Sequence, residues 1–333
     1  MKNIPTKILL LSVLLITIGV YFELRNIRET EKRISSNIAE GQSPSEAMTS
    51  CKKWCFLGVK ILTNTNSSAQ VILGLDYQYG IYAQKDTIKA IAKYRQAARN
   101  NNDTAQLLLG RMYDTYNYDP IFKTRIDEKD FKEYLMDETG NKIFALDDME
   151  AIGWYVKSAN QGNVAAQLLL GKLYEADQKY EDNYINIAAQ WYEKASNNGN
   201  AIAQNILGTF YISGIGVVKN ADKGIDLLKR AATQGNIDAC YELGLAYNGG
   251  FADENGDPIM KNPTDAAFWY RRAADKGNEL AQRELGEMYM NGVGVPRDYN
   301  EAYRLLNQAA AKDAPGAGSL RDRLEPFVLS NHK

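Results

Sequence analysis

Residues 201–217 read Ala-Ile-Ala-Gln-Asn-Ile-Leu-Gly-Thr-Phe-Tyr-Ile-Ser-Gly-Ile-Gly-Val, and this stretch decides the fold because its pattern recurs. An Ala lies four residues before a Leu-Gly pair, and a Tyr lies three residues after the Gly. Ala, Leu, Gly and Tyr at these intervals share one face of an α-helix. Glycine costs a helix about 1 kcal/mol, so we expect it here to let two helix backbones approach closely. The Leu-Gly pairs are Leu73-Gly74, Leu109-Gly110, Leu170-Gly171, Leu207-Gly208, Leu243-Gly244 and Leu285-Gly286.

A second helical pattern follows each pair, with apolar residues such as Ala188, Trp191, Tyr192 and Ala195. Two units carry Leu-Leu instead of the aromatic pair, at 227–228 and 305–306. The glycines of successive Leu-Gly pairs are 36, 61, 37, 36 and 42 residues apart, which indicates a base period with insertions between paired helices. Units end in a Gly that predicts a left-handed cap and an Asn that can cap the next helix, at Gly162-Asn163, Gly199-Asn200, Gly235-Asn236 and Gly277-Asn278.

Over about residues 67–316 this pattern resembles the Sel-1-like repeat family, a relative of the tetratricopeptide repeat. Units 201–235 and 281–310 carry the family's full pattern, including Gly214-Ile-Gly216-Val217 in the first of them. The first three units lack that Gly-x-Gly-Val loop. The resemblance implies an all-α fold, a right-handed superhelical α-solenoid of about six helix-turn-helix repeats.

Domain boundaries follow from the repeat. We expect repeats at 67–102, 103–163, 164–200, 201–236, 237–278 and 279–316, with a long acidic insertion in the second. Flanking them, we expect a degenerate half repeat at 45–66 and a C-terminal cap at 317–333.

The N-terminus carries an uncharged run at residues 8–22, ILLLSVLLITIGVYF, behind Lys2 and Lys7. Fifteen residues are short for a membrane-spanning helix, which needs about 17–25, and they also fit the core of a signal peptide. No small-x-small cleavage site follows, so an uncleaved signal anchor over 1–22 is favoured over a cleaved signal peptide or a buried core helix. A polar helical stalk is predicted at 23–44. The flanking charges are equivocal but favour a single-pass inner-membrane protein with its repeats in the periplasm.

Composition excludes several functions. The net charge of −2, with no large basic block, argues against binding to nucleic acid. One histidine, His332, leaves no Ser-His-Asp triad and no multi-histidine metal site, and we predict no catalytic residues, metal or cofactor. The Gly-x-Gly segments lack the strand and the Lys-Ser/Thr of a phosphate-binding loop, so they are interpreted as interhelix turns. Cys51 and Cys55 are placed to form a disulfide or to remain two free thiols, and Cys240 is interpreted as a small buried residue.

The insertion at about 114–150 is rich in Asp and Glu. Its carboxylates show no regular spacing of the kind that calcium ligands or an acid–base pair require. A solvated loop and a partner-contacting loop both remain open for it.

The predicted binding surface is the concave face formed by the first helices, since solenoids bind partners there. Helical geometry places its exposed positions two before, two after and five after each Leu of the Leu-Gly pairs. This surface is also compatible with an ordinary solvated groove. The predicted positions are Leu107, Arg111, Asp114, Leu168, Lys172, Glu175, Asn205, Thr209, Ile212, Tyr241, Leu245, Asn248, Arg283, Glu287 and Met290.

Several functions are compatible with these features. The first is a membrane-anchored module that binds a protein partner of unknown identity in this groove. The resemblance also suggests a periplasmic immunity protein that neutralises a secreted antibacterial effector, often a lipase. A third function is hydrolysis of cell-wall-like or β-lactam substrates, for which the sequence offers no nucleophile–base pair. A fourth is a scaffold bound to envelope glycan.

Overall fold

The computed structural model describes residues 25, 27–40, 42, 66–114, 148–176, 184–249 and 261–329. Within these ranges every regular element is an α-helix. The chain divides into two compact units, Met1–Tyr180 and Glu181–Lys333. The predicted half repeat apart from Asn66, most of the acidic insertion, Cys51 and Cys55, and residues 8–22 lie outside the described residues.

The first unit holds six described helices. They are α1 (27–39), α2 (Ser67–Tyr79), α3 (Thr87–Arg99), α4 (Asp103–Tyr113), α5 (Asp148–Asn160) and α6 (Val164–Ala176). From α2 to α6, each helix packs against the next one in the chain. Because α4 ends at Tyr113 and α5 begins at Asp148, the long insertion lies between the paired helices of one repeat, as its position in the sequence indicates.

The second unit continues the alternation. Its helices are α7 (Tyr184–Asn197), α8 (Ala201–Ser213), α9 (Ala221–Thr233), α10 (Ile237–Tyr247), α11 (Pro263–Ala274), α12 (Glu279–Asn291), α13 (Tyr299–Ala310) and α14 (Ala317–Leu329). Each helix again packs against its successor. Helix α14 buries Leu324 against Ala302 and Leu306 of α13, so it ends the array where the sequence predicts a C-terminal cap. The predicted class, an α-solenoid of helix-turn-helix repeats, is confirmed in this succession of hairpins.

The cores of the repeats are built on one residue of each second helix. Tyr94, Tyr155, Tyr192 and Tyr270 are fully buried, and Leu228 and Leu306 occupy the same position in the two Leu-Leu repeats. A Cβ on Gly208 would lie 2.9 Å from Leu228 Cγ and 3.0 Å from the carbonyl oxygen of Gly224. The Gly of the Leu-Gly pair therefore leaves space for the core side chain of the second helix as well as for its backbone. The sequence predicts only the close approach of the backbones.

The predicted caps are present. The side-chain oxygens of Asn102, Asn163, Asn200, Asn236 and Asn278 each accept a hydrogen bond from the amide of an Ala three residues later. The preceding Gly residues have φ of 87° to 90°, the left-handed region. Asn101 and Asp313 take over that conformation where no Gly is present, with φ of 56° and 59°. These short junctions fix where each first helix begins, and so which residues it presents on its outer face.

Candidate functional site

The outer face of the first helices is defined by three positions, which lie five, two and one residue before the Leu of each Leu-Gly pair. In the first unit all of these residues are buried, and we call them the unit 1 face: Ser68, Val71, Ile72, Thr104, Leu107, Leu108, Ala165, Leu168 and Leu169. In the second unit all are partly or fully exposed, and we call them the unit 2 face: Ile202, Asn205, Ile206, Asp238, Tyr241, Glu242, Leu280, Arg283 and Glu284.

Helix α1 explains the difference. It lies along the first helices of its own unit, and its hydrogen bonds reach Asn102 and Thr104 at the start of α4 and Asn163 at the start of α6. The predicted stalk thus contains a helix, but this helix packs on the repeats instead of extending away from them. Leu107 and Leu168 lie on the two helices that α1 contacts and are 0% and 2% exposed, so the exposure predicted for these two residues is wrong.

Four of the predicted positions two residues after the Leu are accessible. Lys172 is exposed, while Arg111, Thr209 and Glu287 are partly exposed. The Thr209 hydroxyl donates a hydrogen bond to the carbonyl oxygen of Ile206, one turn earlier in the same helix. These residues therefore lie at a surface, as predicted.

Two of the positions five residues after the Leu are internal, which corrects a second part of the predicted surface. Asp114 is buried, and its Oδ2 accepts a hydrogen bond of 2.8 Å from the hydroxyl of Tyr155. Ile212 is buried and lies against Gly224 of the paired helix. At these two positions the side chain contacts the second helix of its own hairpin. The equivalent residues Glu175, Asn248 and Met290 are partly exposed.

The unit 2 face combines an aromatic ring with charges of both signs. Tyr241 of α10 has its ring centroid 6.0 Å from that of the buried Tyr270, and Glu242 is adjacent to it in the chain. On α12, Arg283 forms an ion pair with Glu284. Desolvation raises the pKa of both Glu242 and Glu284; Asp238 adds to the rise at Glu242, whereas Arg283 opposes it at Glu284.

The same surroundings act on the phenol of Tyr241. Burial raises its pKa above the ordinary value, and the carboxylates of Glu284 and Glu242 raise it further. Tyr241 therefore remains a neutral hydrogen-bonding group at physiological pH. Neither Glu242 nor Glu284 was predicted from the sequence; a charged residue directly before the Leu of the pair, in Glu-Leu-Gly, was the available signal.

The described residues give little support to metal binding or phosphate binding. No group of three or more His, Cys, Asp or Glu side chains there is arranged to hold a metal ion. Gly216 and Gly294 have positive φ, and a side chain on either would meet the carbonyl oxygen of Ile185 or Pro263 at the start of the preceding second helix. Both segments are interhelix turns, as predicted. Cys240 is a buried free thiol whose pKa is raised by burial.

The predicted membrane anchor is tested only in part, because the search for a spanning helix covers the described residues alone. Among the described helices, none combines the length and the apolar character needed to cross a bilayer. The predicted anchor at 8–22 lies outside the residues searched, so it stays a prediction.

Comparisons with known proteins give the family. The sequence model of the Sel1 repeat matches residues 67–102, 138–163, 164–200, 201–236, 237–278 and 280–313, more than half of the chain. A crystal structure of a Sel1 repeat protein from Oxalobacter formigenes superposes with a TM-score of 0.59 at 24% identity, covering 93% of this chain and 80% of the other. That likeness shows the fold.

Curated relatives are similar over shorter stretches. F-box protein At5g50450 of Arabidopsis thaliana is 36% identical over 108 residues, 32% of this chain and 30% of that protein. The ERAD-associated E3 ubiquitin-protein ligase component HRD3A of Arabidopsis thaliana is 33% identical over 73 residues, 22% of this chain and 10% of that protein. The match thus spans less than a third of either relative.

Sel1 repeat proteins mediate protein–protein interactions and are generally non-catalytic scaffolds. Six matched units, the alternation of paired helices and the capped Gly-Asn junctions agree with one another. The chain belongs to the Sel1 repeat family.

Proposed function

We propose that this chain is a non-catalytic binding module and that its protein partner docks on the unit 2 face. One observation carries the proposal. The same three positions of the first helices are buried in the first unit, where an amphipathic helix contacts the first helices, whereas in the second unit they are accessible. A surface that accepts a helix in one unit therefore has a counterpart that is free to accept a partner segment in the other.

The composition of the unit 2 face supports a protein ligand. Tyr and Arg are enriched where protein interfaces have their strongest contacts, and Tyr241 and Arg283 lie on adjacent first helices. Asn205 extends the surface to α8.

Charge indicates the chemistry of that segment. Glu242 and Glu284 are partly desolvated carboxylates, and Glu284 is already paired with Arg283. A Lys or Arg side chain beside Glu242 would stabilise its ionised form. We therefore infer a partner segment with cationic side chains beside an apolar or aromatic anchor, and an affinity that falls as salt is added.

Cellular location belongs to the same proposal. The uncharged run at 8–22 supports export and anchoring in the inner membrane, with the repeats in the periplasm. Protease added to intact spheroplasts would digest a tag at the C-terminus if this topology holds, and would leave the tag intact if the repeats face the cytoplasm. The narrower predictions, an immunity function and hydrolysis, gain no support from the described residues.

Affinity capture from native membranes tests the proposal. The bait is the full chain, compared with the variants Tyr241→Ala and Arg283→Ala on the unit 2 face. Asp226→Ala, at an exposed position on the second helix α9, is the matched control. We expect one stoichiometric partner that is lost with either face variant and retained by the control.

Quantitation of that partner tests its charge as well. Glu242→Gln should weaken the complex and reduce its salt dependence if the partner segment is cationic. A partner retained equally by all variants would overturn the proposed face, and it would direct attention to the acidic insertion or to glycan binding.

A further inference from the structure

Helix α1 has one buried and one exposed side. Ile27, Thr30, Ile34 and Ile38 are at most 5% exposed and recur at intervals of three, four and four residues, which places them on a single stripe. The other side carries charged residues that are all exposed: Arg28, Glu29, Lys32 and Arg33. This is the design of a helix that lies in a groove with one apolar side.

Polar contacts fix α1 across successive repeats. The carboxylate of Glu31 accepts a hydrogen bond from the side-chain amide of Asn102 and is also hydrogen-bonded to Ser68 of α2. One turn later, the Ser35 hydroxyl lies 3.0 Å from that of Thr104 and accepts a hydrogen bond of 3.3 Å from Asn163. These contacts run from α2 through α4 to the start of α6, so α1 follows the row of first helices.

The sequence of the unit 1 face matches this occupant. The two residues before the Leu-Gly pair are Val-Ile, Leu-Leu and Leu-Leu in the first three repeats, and Asn-Ile, Tyr-Glu and Arg-Glu in the last three. Only the first set gives an apolar surface along which an isoleucine stripe can lie. The first three repeats are thus specialised for an apolar helix, while their internal pattern is the same as elsewhere.

We infer that the unit 1 face is a receptor site for an amphipathic helix and that α1 is an exchangeable intramolecular occupant, which closes the site to helices in trans. Because α1 belongs to the same chain as the unit 1 face, its docking is intramolecular, and a competing helix must overcome that advantage. The inference concerns the first unit and stands apart from the proposed function of the unit 2 face.

One feature of the docked helix favours exchange. Glu31 is largely desolvated, and the carboxylate of Asp103 at the start of α4 lies near enough to raise its pKa further. An ionised carboxylate in this position weakens docking relative to an uncharged side chain of the same shape. Docking of α1 is therefore less favourable than its apolar stripe alone would make it.

A peptide of residues 25–40 carrying a fluorescent label is the probe. The receptor is the full chain in which Ile27, Ile34 and Ile38 are changed to Ser, so that its own α1 no longer docks well. We expect this variant to bind the peptide at least 10-fold more tightly than the unmodified chain does, because the unmodified chain is closed by its own helix. A full chain with Arg28→Ser, Lys32→Ser and Arg33→Ser, on the exposed side, is the matched control and should behave as unmodified.

Two results would overturn the inference. One is a folded triple variant that binds the peptide no more tightly than a counterpart peptide with the three isoleucines changed to Ser, since the face would then not recognise the isoleucine stripe. The other comes from amide hydrogen exchange of the unmodified chain, which needs no variant to fold. We expect α1 amides to exchange at least 10-fold faster than those of α4 after correction for intrinsic rates; equal rates would make α1 a permanent part of the fold.

Discussion

The ring of Tyr155 occupies the space that a side chain on Gly110 would need. A Cβ built on Gly110 would stand 3.0 Å from Cγ of Tyr155 and closer still to Cδ1. Gly74 with Tyr94, and Gly244 with Tyr270, repeat the same relationship. The Gly lies on the first helix of a repeat and the Tyr on the second, so each pair is a packing contact between the two helices of one hairpin.

Replacing Gly110 with Ala should therefore destabilise the first unit by about 1–3 kcal/mol, the cost of overpacking a filled core. Gly153→Ala is the matched control, because Gly153 is an exposed helical glycine with no described atom within 4 Å of a Cβ there. That change should stabilise the helix by up to about 1 kcal/mol. Chemical unfolding followed by circular dichroism checks both, and equal effects of the two substitutions would contradict the packing described here.

Leu107 and Lys172 were both predicted to lie on the binding surface, but Leu107 is buried and Lys172 is exposed. Leu107→Ala should cost about 2–5 kcal/mol, because it removes buried methyl groups and leaves a cavity. Lys172→Ala should change stability by no more than about 0.5 kcal/mol, as is usual for an exposed side chain. Thermal unfolding of the two variants is the measurement, and a harmless Leu107→Ala would mean that this position is not buried.

The Asn caps make a third prediction. Asn236→Ala should cost about 1 kcal/mol, because the amide of Ala239 loses the side-chain oxygen 2.8 Å away that caps α10. Asn236→Asp should restore most of that stability, since a carboxylate caps as well and favours a helix N-terminus. Asn197→Ala, at an exposed position at the end of α7, serves as the control and should be close to neutral. Thermal unfolding of the three variants measures these differences, and a neutral Asn236→Ala would contradict the capping role.

The fourth prediction concerns pH. Desolvation raises the pKa of Glu31 in the docked helix, and Asp103 adds to the rise, while hydrogen bonds from Ser68 and Asn102 and the charge of Arg28 oppose it. A carboxyl whose pKa is higher when docked binds its proton more tightly there, so its contribution is complete below the undocked pKa of about 4.3. That contribution declines as pH rises from there through the raised value.

Substitution Glu31→Gln should remove this component and make α1 more protected at neutral pH. Amide exchange of α1, compared between the two chains from about pH 4.5 to 7, isolates the effect of this one group from other titrations. The unmodified chain should lose protection relative to the Gln variant as pH rises. Parallel pH profiles, or a less protected Gln variant, would contradict the assignment.

Much of the fold could be predicted from the sequence because its signals are local and repeated. The Leu-Gly pair, the Tyr three residues after it and the Gly-Asn junction each depend on contacts within one hairpin or its immediate neighbour. Gly162 and Asn163, for example, indicate both the end of α5 and the start of α6. The Gly-x-Gly turns could be assigned for the same reason, since the surrounding helices leave no place for a strand.

The face of the first helices was harder to predict, because its exposure depends on a segment far away in the chain. Leu107 and Asn205 occupy equivalent positions, and helical geometry alone treats them alike. What separates them is α1, which lies about 70 residues before Leu107 and carries no repeat signal. The run Leu107-Leu108-Leu109 offered a hint, since three successive leucines cover more than half of the helix circumference, which is wider than contact with one neighbouring helix requires.

The Gly-Asn junctions have a consequence for how such a chain can change its length. At Asn236, the backbone amide donates to the carbonyl oxygen of Ala231 in the preceding helix, while the side chain accepts from Ala239 in the following one. Asn163 makes the same two bonds, to Ser158 and from Ala166. If a duplication or deletion in the gene has its breakpoints at two such Asn codons, the end of one second helix is joined to the start of another first helix through an equivalent Asn. The hydrogen bonds of the cap are then preserved. The junctions therefore preserve the helix caps when whole repeats are gained or lost.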